Sequence, residues 1–375
     1  MAKRSHDSMS SDQMQMTVLG TKVFGRNNLQ FMQHPKPAAC TLRPTEVLVR
    51  VLYSDLNPVD HHKLNMKADG AAVPDHRSPF VVGFGGCGVV EAVAADTADD
   101  AAKSLLNARV VFLADPSRDG SYAEYVVCDR RVVAPVPAGG AIASHEAAAI
   151  PVAGCTALES LEKAGLAISS AEAPQPSAGE GRRLLIVGAA GGVGSWATQL
   201  ARSNYPQLDI VGTASSPESS AWCEAMGCTS IIGHDEVESL GGGRDGSVDH
   251  ILCLSEPTPK LFASLAEVLR PYGKIVLVVS GEGIKSLDLS FVFFKCGTVS
   301  TETVFTSMRD GYRLDQAGQL DTILSLLDQR RAKAPISKDW EDERSGWKVA
   351  NERGEYIDAV GSGRSRGKLV MKISS

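Results

Sequence analysis

The 375-residue chain lacks three features, each of which would have pointed to a particular class of protein. Its eight cysteines form no Cys-x-x-Cys pair, so neither that redox motif nor a paired-cysteine zinc site is present. No apolar run reaches the roughly 18 residues that a membrane-spanning helix needs. The nearest run, residues 143–158, is interrupted by His145, Glu146 and Pro151. The formal net charge is -6, which argues against a surface for nucleic acid or anionic membranes.

The first 16 residues are polar and mixed in charge, and they lack the apolar core of a secretory signal. We therefore predict a disordered N-terminal extension over residues 1–16. Because the cysteines are unclustered, we expect free thiols and a reducing, cytoplasmic compartment. Hydrophobic residues make up 43% of the chain and charged residues 22%, a composition typical of globular proteins, and the length allows two domains.

The most informative segment is residues 184–194, where an apolar run breaks into glycines. Residues 184–187 predict a short, buried parallel strand. A glycine turn and an amphipathic helix follow, and three turn residues occupy the places of a G-x-G-x-x-G fingerprint. A strand, glycine turn and helix in this order form a pyrophosphate cradle, because backbone N–H groups and the positive helix end face the phosphates. The segment predicts dinucleotide binding by Ala189, Gly191, Gly192, Val193 and Gly194.

The predicted elements divide the chain into two regions. Up to about residue 152, short strands with glycine turns are predicted at 46–52, 80–93, 108–113 and 121–127, which is typical of a partly open barrel or sandwich. Helices are predicted at 145–150 and 154–165. From residue 184 onward, strands at 210–214, 231–232, 248–254 and 274–279 alternate with helices beginning at 217 and 259, which predicts a doubly wound parallel sheet. Residues 367–373 alternate like a strand and are expected to return to the first region.

Six segments in the same order resemble the medium-chain dehydrogenase/reductase superfamily, in its zinc-free quinone oxidoreductase-like branch. They lie at residues 57–60, 83–90, 120–126, 146–151, 189–194 and 366–370. Residues 213–219 and 304–306 further resemble a subgroup called zinc-type alcohol dehydrogenase-like. The resemblance implies an α/β fold, with a Rossmann sheet over residues 153–298 and a β-rich GroES-like catalytic domain made of residues 17–152 and 299–375. It also implies a cofactor in the cleft between them and a homodimer formed through an edge strand at 298–304.

The zinc ligands of related enzymes are missing. Zinc-dependent relatives carry a cysteine at the place of Asn57 and a His-Glu pair at the places of Phe84 and Gly85. A catalytic zinc needs about three N, S or O ligands, and the clustered cysteines of a structural zinc lobe are absent as well. His61 and His62 are adjacent, and side chains at such spacing point apart. We therefore predict no metal, and hydride transfer to acceptors that are already electron-poor, namely quinones and α,β-unsaturated carbonyl compounds.

The resemblance also suggests site residues, each with a plainer alternative. Asn57 matches the residue beside the nicotinamide ribose, or it forms a turn before Pro58. His62 stands where many quinone reductases carry a tyrosine, and it donates to the acceptor oxygen or is simply solvated. Thr156 lies at the nicotinamide end or caps a helix. The remaining cofactor candidates are the fourth and fifth strand ends and the last matching segment: Leu254, Ser255, Val279, Ser280 and Lys368.

The choice between NADPH and NADH depends on the end of the second strand. An acid there would favour NADH by binding the ribose 2′-hydroxyl, but the chain has Ser215 and Ser216. Relatives often carry a lysine at the place of Ser219, and Glu218 could repel a 2′-phosphate. His234 matches an aromatic position near the adenine. The lack of an acid at the strand end favours NADPH, although the missing lysine and Glu218 count against it, and NADH is the alternative.

Together these observations predict an NADPH-dependent, zinc-free oxidoreductase that acts on quinones or α,β-unsaturated carbonyl compounds, with Asn57 and His62 as catalytic candidates. Two alternatives stay open. One is a low-turnover NADPH-binding redox sensor or scaffold. The other is a trans-acting enoyl reductase that acts on acyl thioesters.

Overall fold

A computed structural model describes residues 14–95, 97–171, 173–243, 245–310, 315–338, 346–347, 360–362 and 365–374. The fold is α/β, with one parallel sheet and a mainly antiparallel β-rich region, as the sequence predicts. No helix within the described ranges is both long and apolar enough to cross a membrane.

The N-terminal part of the chain supplies most of the β-rich region. Its strands are β1 (Gln15–Thr21), β2 (Gln30–Pro35), β3 (Glu46–Leu56), β4 (Phe80–Val81), β5 (Gly85–Val93), β6 (Arg109–Leu113), β7 (Tyr125–Asp129) and β8 (Val133–Pro135). Three helices connect or follow these strands: α1 (Pro58–Leu64), α2 (Asp100–Ser104) and α3 (Ser144–Ala148). The long strand β3 pairs with both β5 and β7, so it is the central strand of this region.

The central part of the chain forms a six-stranded parallel sheet. Its strands are β9 (Arg183–Val187), β10 (Asp209–Thr213), β11 (Ser230–Ile232), β12 (Val248–Cys253), β13 (Leu269–Leu277) and β14 (Thr298–Thr301), and its helices are α4 (Pro151–Lys163), α5 (Gly192–Asn204), α6 (Pro217–Met226), α7 (Pro259–Val268) and α8 (Ser290–Phe294). The strand order is β11-β10-β9-β12-β13-β14. The order reverses between β9 and β12, which is where ligands bind in doubly wound sheets.

Sequence signals fix the ends of α6. Ser216 precedes it and accepts a hydrogen bond from the N–H of Ser219 at 3.2 Å, and Pro217 takes the first helical position. The helix ends before Gly227, whose φ of 113° is left-handed. These are the N-cap, N1 proline and C-cap glycine predicted for this helix.

The C-terminal part returns to the β-rich region, as the alternation at 367–373 predicts. After α9 (Thr306–Asp310) and α10 (Gln316–Asp328), the chain forms β15 (Ile336–Lys338) and β16 (Lys368–Lys372). Strand β16 lies antiparallel to β3, with Leu369 opposite Leu56. The two chain ends therefore build one sheet, and the return brings Lys368 beside the residues that follow β3.

Several predicted elements differ from the structure. The strand predicted at 80–93 is divided into β4 and β5, and the edge strand predicted at 298–304 ends at Thr301. Strand β1 takes in Gln15 and Met16, which the sequence placed in the disordered extension; residues 1–13 lie outside the described residues. The strand predicted at 121–127 begins only at Tyr125. Ser121 and Tyr122 instead donate their backbone N–H groups to the carbonyls of Gly83 and Val82. This segment therefore contacts the connection between β4 and β5 before the chain pairs with β3.

Candidate functional site

The glycine turn lies at the end of β9, beside the reversal of the parallel sheet. Gly188 follows the strand with φ +84°, a left-handed conformation that glycine adopts without steric cost. Its N–H donates to Thr213 Oγ1 at 3.0 Å, which ties the turn to β10. A Cβ on Gly194 would lie 2.5 Å from the carbonyl oxygen of Gly188. Gly194 therefore allows the close contact between turn and helix that the fingerprint predicts.

Gly191 has a different role in the turn. A Cβ built on it would meet only the Gly188 carbonyl oxygen, at 3.5 Å. Gly191 is thus not required for packing inside the protein, but it keeps the space in front of the α5 N-terminus free. Backbone N–H groups and the positive end of α5 face that space, so the turn fits the pyrophosphate of a dinucleotide. Gly188 was not among the predicted site residues, although a glycine directly after a buried strand is its signal.

The end of β10 carries the serines that the sequence assigned to the adenosine ribose. Ser215 is exposed, whereas Ser219 is 8% exposed. The hydroxyl of Ser219 accepts from the N–H of Ser216 at 3.0 Å and donates to the Ser216 carbonyl at 2.9 Å. The Ser219 side chain therefore stabilises the start of α6. His234 Nδ1 lies 2.8 Å from Thr213 Oγ1, which places the exposed imidazole beside the same strand end.

Glu218 is the acid nearest this end of the site. Its carboxyl is fully exposed in the first turn of α6, and hydrogen bonds from its own N–H and from Ser216 lower its pKa. The charge of Arg366 also lowers this pKa, so Arg366 lies within electrostatic reach of Glu218. Arg366 begins the last matching segment, but it was not among the predicted site residues. It enters this site because Gly367 donates its N–H to the Ala190 carbonyl at 2.8 Å.

The ends of β12 and β13 carry further residues that the sequence predicts to bind the cofactor. The N–H of Leu254 donates to the Val187 carbonyl at 3.0 Å, and the Cβ of Leu254 lies 3.6 Å from the position of a Cβ on Gly188. Leu254 and Ser255 are therefore close to the glycine turn. Val279 and Ser280 follow β13 and are exposed. Thr156 is buried, and its hydroxyl donates to the Val152 carbonyl within α4 at 2.7 Å.

A buried polar cluster lies where β16 meets the end of β3. It consists of Asp55, Asn57, Asp60, Tyr122 and Lys368, none of which is more than 3% exposed. Lys368 Nζ donates to Asn57 Oδ1 at 2.6 Å, to the Leu56 carbonyl at 2.9 Å and to Asp55 Oδ2 at 3.4 Å. This ammonium balances part of the negative charge that the two aspartates bring into the interior.

Asp60 connects the cluster to α1. Its Oδ2 accepts from the N–H of Asn57 at 2.7 Å and from the hydroxyl of Tyr122 at 3.0 Å. Burial, reinforced by the charge of Asp55, raises the pKa of Asp60 to about 7. Asp60 therefore exchanges its proton near neutral pH.

The positions that hold zinc in metal-dependent relatives offer no ligand set. Phe84 is fully buried, and its ring packs against that of Phe305 with centroids 5.5 Å apart. A Cβ on Gly85 would lie 2.9 Å from Asp55 Oδ1 and 2.8 Å from Pro151 Cβ, so no larger residue fits there. Within the described residues no group of three potential ligands is close enough to hold a metal. The residues present do not fit a catalytic zinc.

The two catalytic candidates have different surroundings. Asn57 belongs to the buried cluster, whereas His62 is exposed on α1. The neighbouring His61 faces residue 361, because a Cβ on Gly361 would lie 2.7 Å from its ring. The two histidines therefore do not converge on one point, as their adjacent positions predict. Asp55 and Tyr122 join the site although the sequence did not select them.

Comparisons with known proteins agree with this architecture. The family described as Alcohol dehydrogenase GroES-like domain matches residues 43–138. The zinc-type alcohol dehydrogenase-like protein SACOL2177 of Staphylococcus aureus (strain COL) is 33% identical over 262 residues, which cover 69% of this chain and 71% of that protein. Prostaglandin reductase-3 of Bos taurus is 32% identical over 196 residues, 52% of this chain and 44% of that protein.

Among solved structures, the quinone oxidoreductase from Coxiella burnetii superposes with a TM-score of 0.73, covering 96% of this chain and 100% of that chain, at 21% identity. This likeness concerns the fold. With the 33% identical relative, the comparisons show that the chain belongs to the medium-chain dehydrogenase/reductase superfamily and is an oxidoreductase of that group.

Proposed function

We propose that this protein is an NADPH-dependent, zinc-free reductase of quinones or α,β-unsaturated carbonyl compounds. The observation that carries the proposal is that two features lie side by side, joined by Lys368, which contacts both the glycine turn and Asn57. A glycine cradle suited to a dinucleotide lies at the reversal of the parallel sheet, and the adjoining zinc positions hold Asn57, a buried Phe84 and Gly85. The cofactor side fits the superfamily, while the catalytic side lacks the Lewis acid that alcohol–carbonyl exchange uses.

In this proposal each end of the groove holds one part of the cofactor. The α5 N-terminus and Gly191 bind the pyrophosphate. The backbone at Leu254, Ser255, Val279 and Ser280 lines the nicotinamide end, and the reduced nicotinamide, when bound, supplies a hydride.

The acceptor must compensate for the missing metal. Hydride addition to a conjugated alkene or a quinone sends the electron pair onto the acceptor's own oxygen, and a proton from the medium then completes the reduction. The protein has to orient the acceptor and stabilise charge on that oxygen. His62 is exposed on α1, and we keep as a hypothesis that it donates a hydrogen bond to this oxygen.

NADPH is proposed over NADH for two reasons. Ser215 and Ser216, rather than an acid, follow β10, and Arg366 lies within electrostatic reach of the α6 N-terminus. An arginine pairs well with a phosphate. Glu218 opposes this preference, because its negative charge lies in the same region.

We also propose a homodimer that forms through β14, at the edge of the parallel sheet. Close to it in sequence, Phe291, Phe293 and Phe294 are 53%, 76% and 84% exposed, and an apolar patch of this kind favours burial against a second copy. Light scattering on the wild type and on Phe293→Glu/Phe294→Glu should report a dimer and a monomer, respectively. A monomeric wild type would contradict the dimer.

We further propose a cytoplasmic location. All eight cysteines are free thiols, and six of them are buried or partly buried, which suits a reducing compartment. Fractionation of the native cells should recover the protein in the cytosol.

The central test is a binding titration with NADPH and NADH side by side, followed by an acceptor panel of a quinone, an enal, an enone, an enoyl thioester and a saturated aldehyde. We expect tighter binding of NADPH, and its oxidation by the quinone, enal or enone but not by the saturated aldehyde. Cofactor binding without turnover would favour a sensor or scaffold, and a preference for the thioester would favour an enoyl reductase.

A further inference from the structure

The amide of Asn57 is held in one orientation by Lys368. The side chain of Lys368 is 3% exposed, and its Nζ donates to Asn57 Oδ1 at 2.6 Å. An ammonium group can only donate hydrogen bonds, so it fixes the carbonyl side of the amide toward itself. The NH₂ side of Asn57 must then point away from Lys368.

That NH₂ group has no hydrogen-bond partner among the described residues. Asn57 Nδ2 is buried and makes no hydrogen bond in the part of the chain that the structure describes. Two possible acceptors belong to the same cluster, Asp55 Oδ1 and Asp60 Oδ1, and they are unpaired as well. The amide is therefore not turned to satisfy its neighbours. A buried donor without a partner costs about 1–3 kcal/mol, and a catalytic role is one of the reasons for which proteins retain such a group.

Lys368 also connects this amide to the cofactor turn. A Cβ on Gly192, in the first turn of α5, would lie 2.8 Å from Lys368 Cδ. The aliphatic part of Lys368 thus crosses the glycine turn, while its ammonium holds Asn57. The amide lies close to the helix end that receives the dinucleotide, at the place where zinc-dependent relatives carry a metal ligand.

We propose that Asn57 Nδ2 donates a hydrogen bond to the carbonyl oxygen of the acceptor, and that Lys368 is the positioning residue that aims it. This inference rests on the proposed reductase function and names the group that takes over part of the metal's role. As hydride adds to the acceptor, the electron pair moves onto its oxygen, and the amide N–H stabilises the resulting anion. A proton from the medium then neutralises the product.

Two substitutions at Asn57 test the donor. Asn57→Asp keeps the size of the side chain and an oxygen for Lys368, and Asn57→Leu keeps the approximate volume with no polar group. Removing one oxyanion donor costs about 10²- to 10³-fold in rate. We expect both variants to slow single-turnover hydride transfer by about 10²-fold while the Kd for NADPH changes by less than about threefold. Weaker NADPH binding with an unchanged transfer rate would assign Asn57 to the cofactor and overturn the proposal.

A readout without turnover uses 4-nitrophenol, whose anion resembles the hydroquinone product. In the wild type with bound NADP⁺, we expect the nitrophenolate to bind and its pKa to fall, which its absorbance reports directly. Asn57→Leu should weaken this binding by about tenfold or more, the loss of a hydrogen bond to a charged group. Equal nitrophenolate binding by the wild type and Asn57→Leu would contradict the donor role.

A double-mutant cycle separates positioning by Lys368 from simple charge balance. Lys368→Met should slow hydride transfer by about tenfold or more, since small misplacements are costly, and Lys368→Arg should recover part of the rate. In the Asn57→Leu background, Lys368→Met should add little further loss. If the two losses simply add, Lys368 does not act through Asn57.

Asp55→Asn with Lys368→Met guards against misfolding, because it removes the charge of Asp55 together with that of Lys368, while Asp60 keeps its hydrogen bonds from Asn57 and Tyr122. This double variant should fold and bind NADPH, yet remain as slow as Lys368→Met. A wild-type rate in the double variant would overturn the positioning role. If the wild type itself reduces none of the acceptors, the proposed function fails. If it reduces a quinone or an enal and the Asn57 variants keep their rate, only this inference fails.

Discussion

The two ends of the proposed site are built by different means. At the proposed cofactor end the site is mostly backbone: Gly188, Gly191 and Gly194 shape the turn in front of α5. At the proposed acceptor end it is made of buried side chains, with Asp55, Asn57 and Lys368 in one hydrogen-bonded group. The cofactor end depends on the absence of side chains, and the acceptor end depends on their charge and orientation.

Because of this difference, substitutions should impair the two ends in different ways. A cradle of backbone groups is lost when an added side chain fills it, with little dependence on pH. A buried ionisable cluster tolerates changes of volume poorly and also responds to pH, since burial raises the pKa of Asp60. Substitutions at the two ends should therefore give distinguishable results.

The largest effect is expected at the glycine turn. Gly191→Ala places a methyl group in the space for the pyrophosphate but meets no protein atom closer than 3.5 Å. It should keep the wild-type Tm and weaken NADPH binding by at least about 10²-fold, because hydrogen bonds to a charged group are lost. Gly194→Ala should both lower the Tm and abolish binding, since its Cβ would lie 2.5 Å from a carbonyl oxygen.

The control for both is Gly318→Ala in α10, where a Cβ meets nothing closer than 3.9 Å. It should bind NADPH like the wild type and be slightly more stable, because alanine favours a helix. If Gly191→Ala binds NADPH normally, the turn is not the pyrophosphate site.

A second effect belongs to the acceptor end and concerns pH. Burial raises the pKa of Asp60 from 3.8 to about 7, so between these values the folded protein binds more protons than the unfolded chain. Its contribution to stability is complete below about pH 4 and is lost as pH rises to about 7, at up to about 1.4 kcal/mol per pH unit. Asp60→Asn should flatten the free energy of unfolding over this range.

Urea unfolding across this pH range measures that slope. Glu159 is a second contributor, since burial and its hydrogen bond with Glu302 raise its pKa from 4.5 to about 8. Glu159→Gln should therefore flatten the slope from about pH 4.5 to about pH 8, and its effect should add to that of Asp60→Asn. An Asp60→Asn variant with the wild-type slope would show that Asp60 is ionised throughout.

The smallest effects are expected at the 2′-phosphate. Arg366→Gln should weaken NADPH binding by about tenfold and leave NADH binding unchanged, because only NADPH offers a phosphate to pair with. Glu218→Gln should tighten NADPH binding by about two- to fivefold, as expected for removing an exposed like charge. Equal effects on both cofactors would place these residues away from the 2′ position.

The strand, turn and helix of the proposed cofactor end could be predicted from the sequence because their signals are local. Residues 184–194 carry the strand, the turn and the helix start in one run, and the structure has β9 at Arg183–Val187 and α5 from Gly192. The end of α6 at Gly227 was predicted from a local signal as well, the glycine itself. Such features follow from backbone preferences of single residues.

The acceptor end could not be predicted in the same way. Lys368 and Asn57 are 311 residues apart, and only the pairing of β16 with β3 brings them together. The charge of Arg366 reaches α6 by the same return of the chain. Asp55 carries no pattern that distinguishes it from an exposed aspartate, and neither its burial nor the orientation of the Asn57 amide can be read from composition or spacing.

The most direct test of the account is the rate of NADPH oxidation by a quinone after the protein has been dialysed against a metal chelator. We predict that this rate is the same as before dialysis and that added zinc does not raise it. A protein that oxidises NADPH with no quinone or enal, or only after zinc is added, would contradict the account.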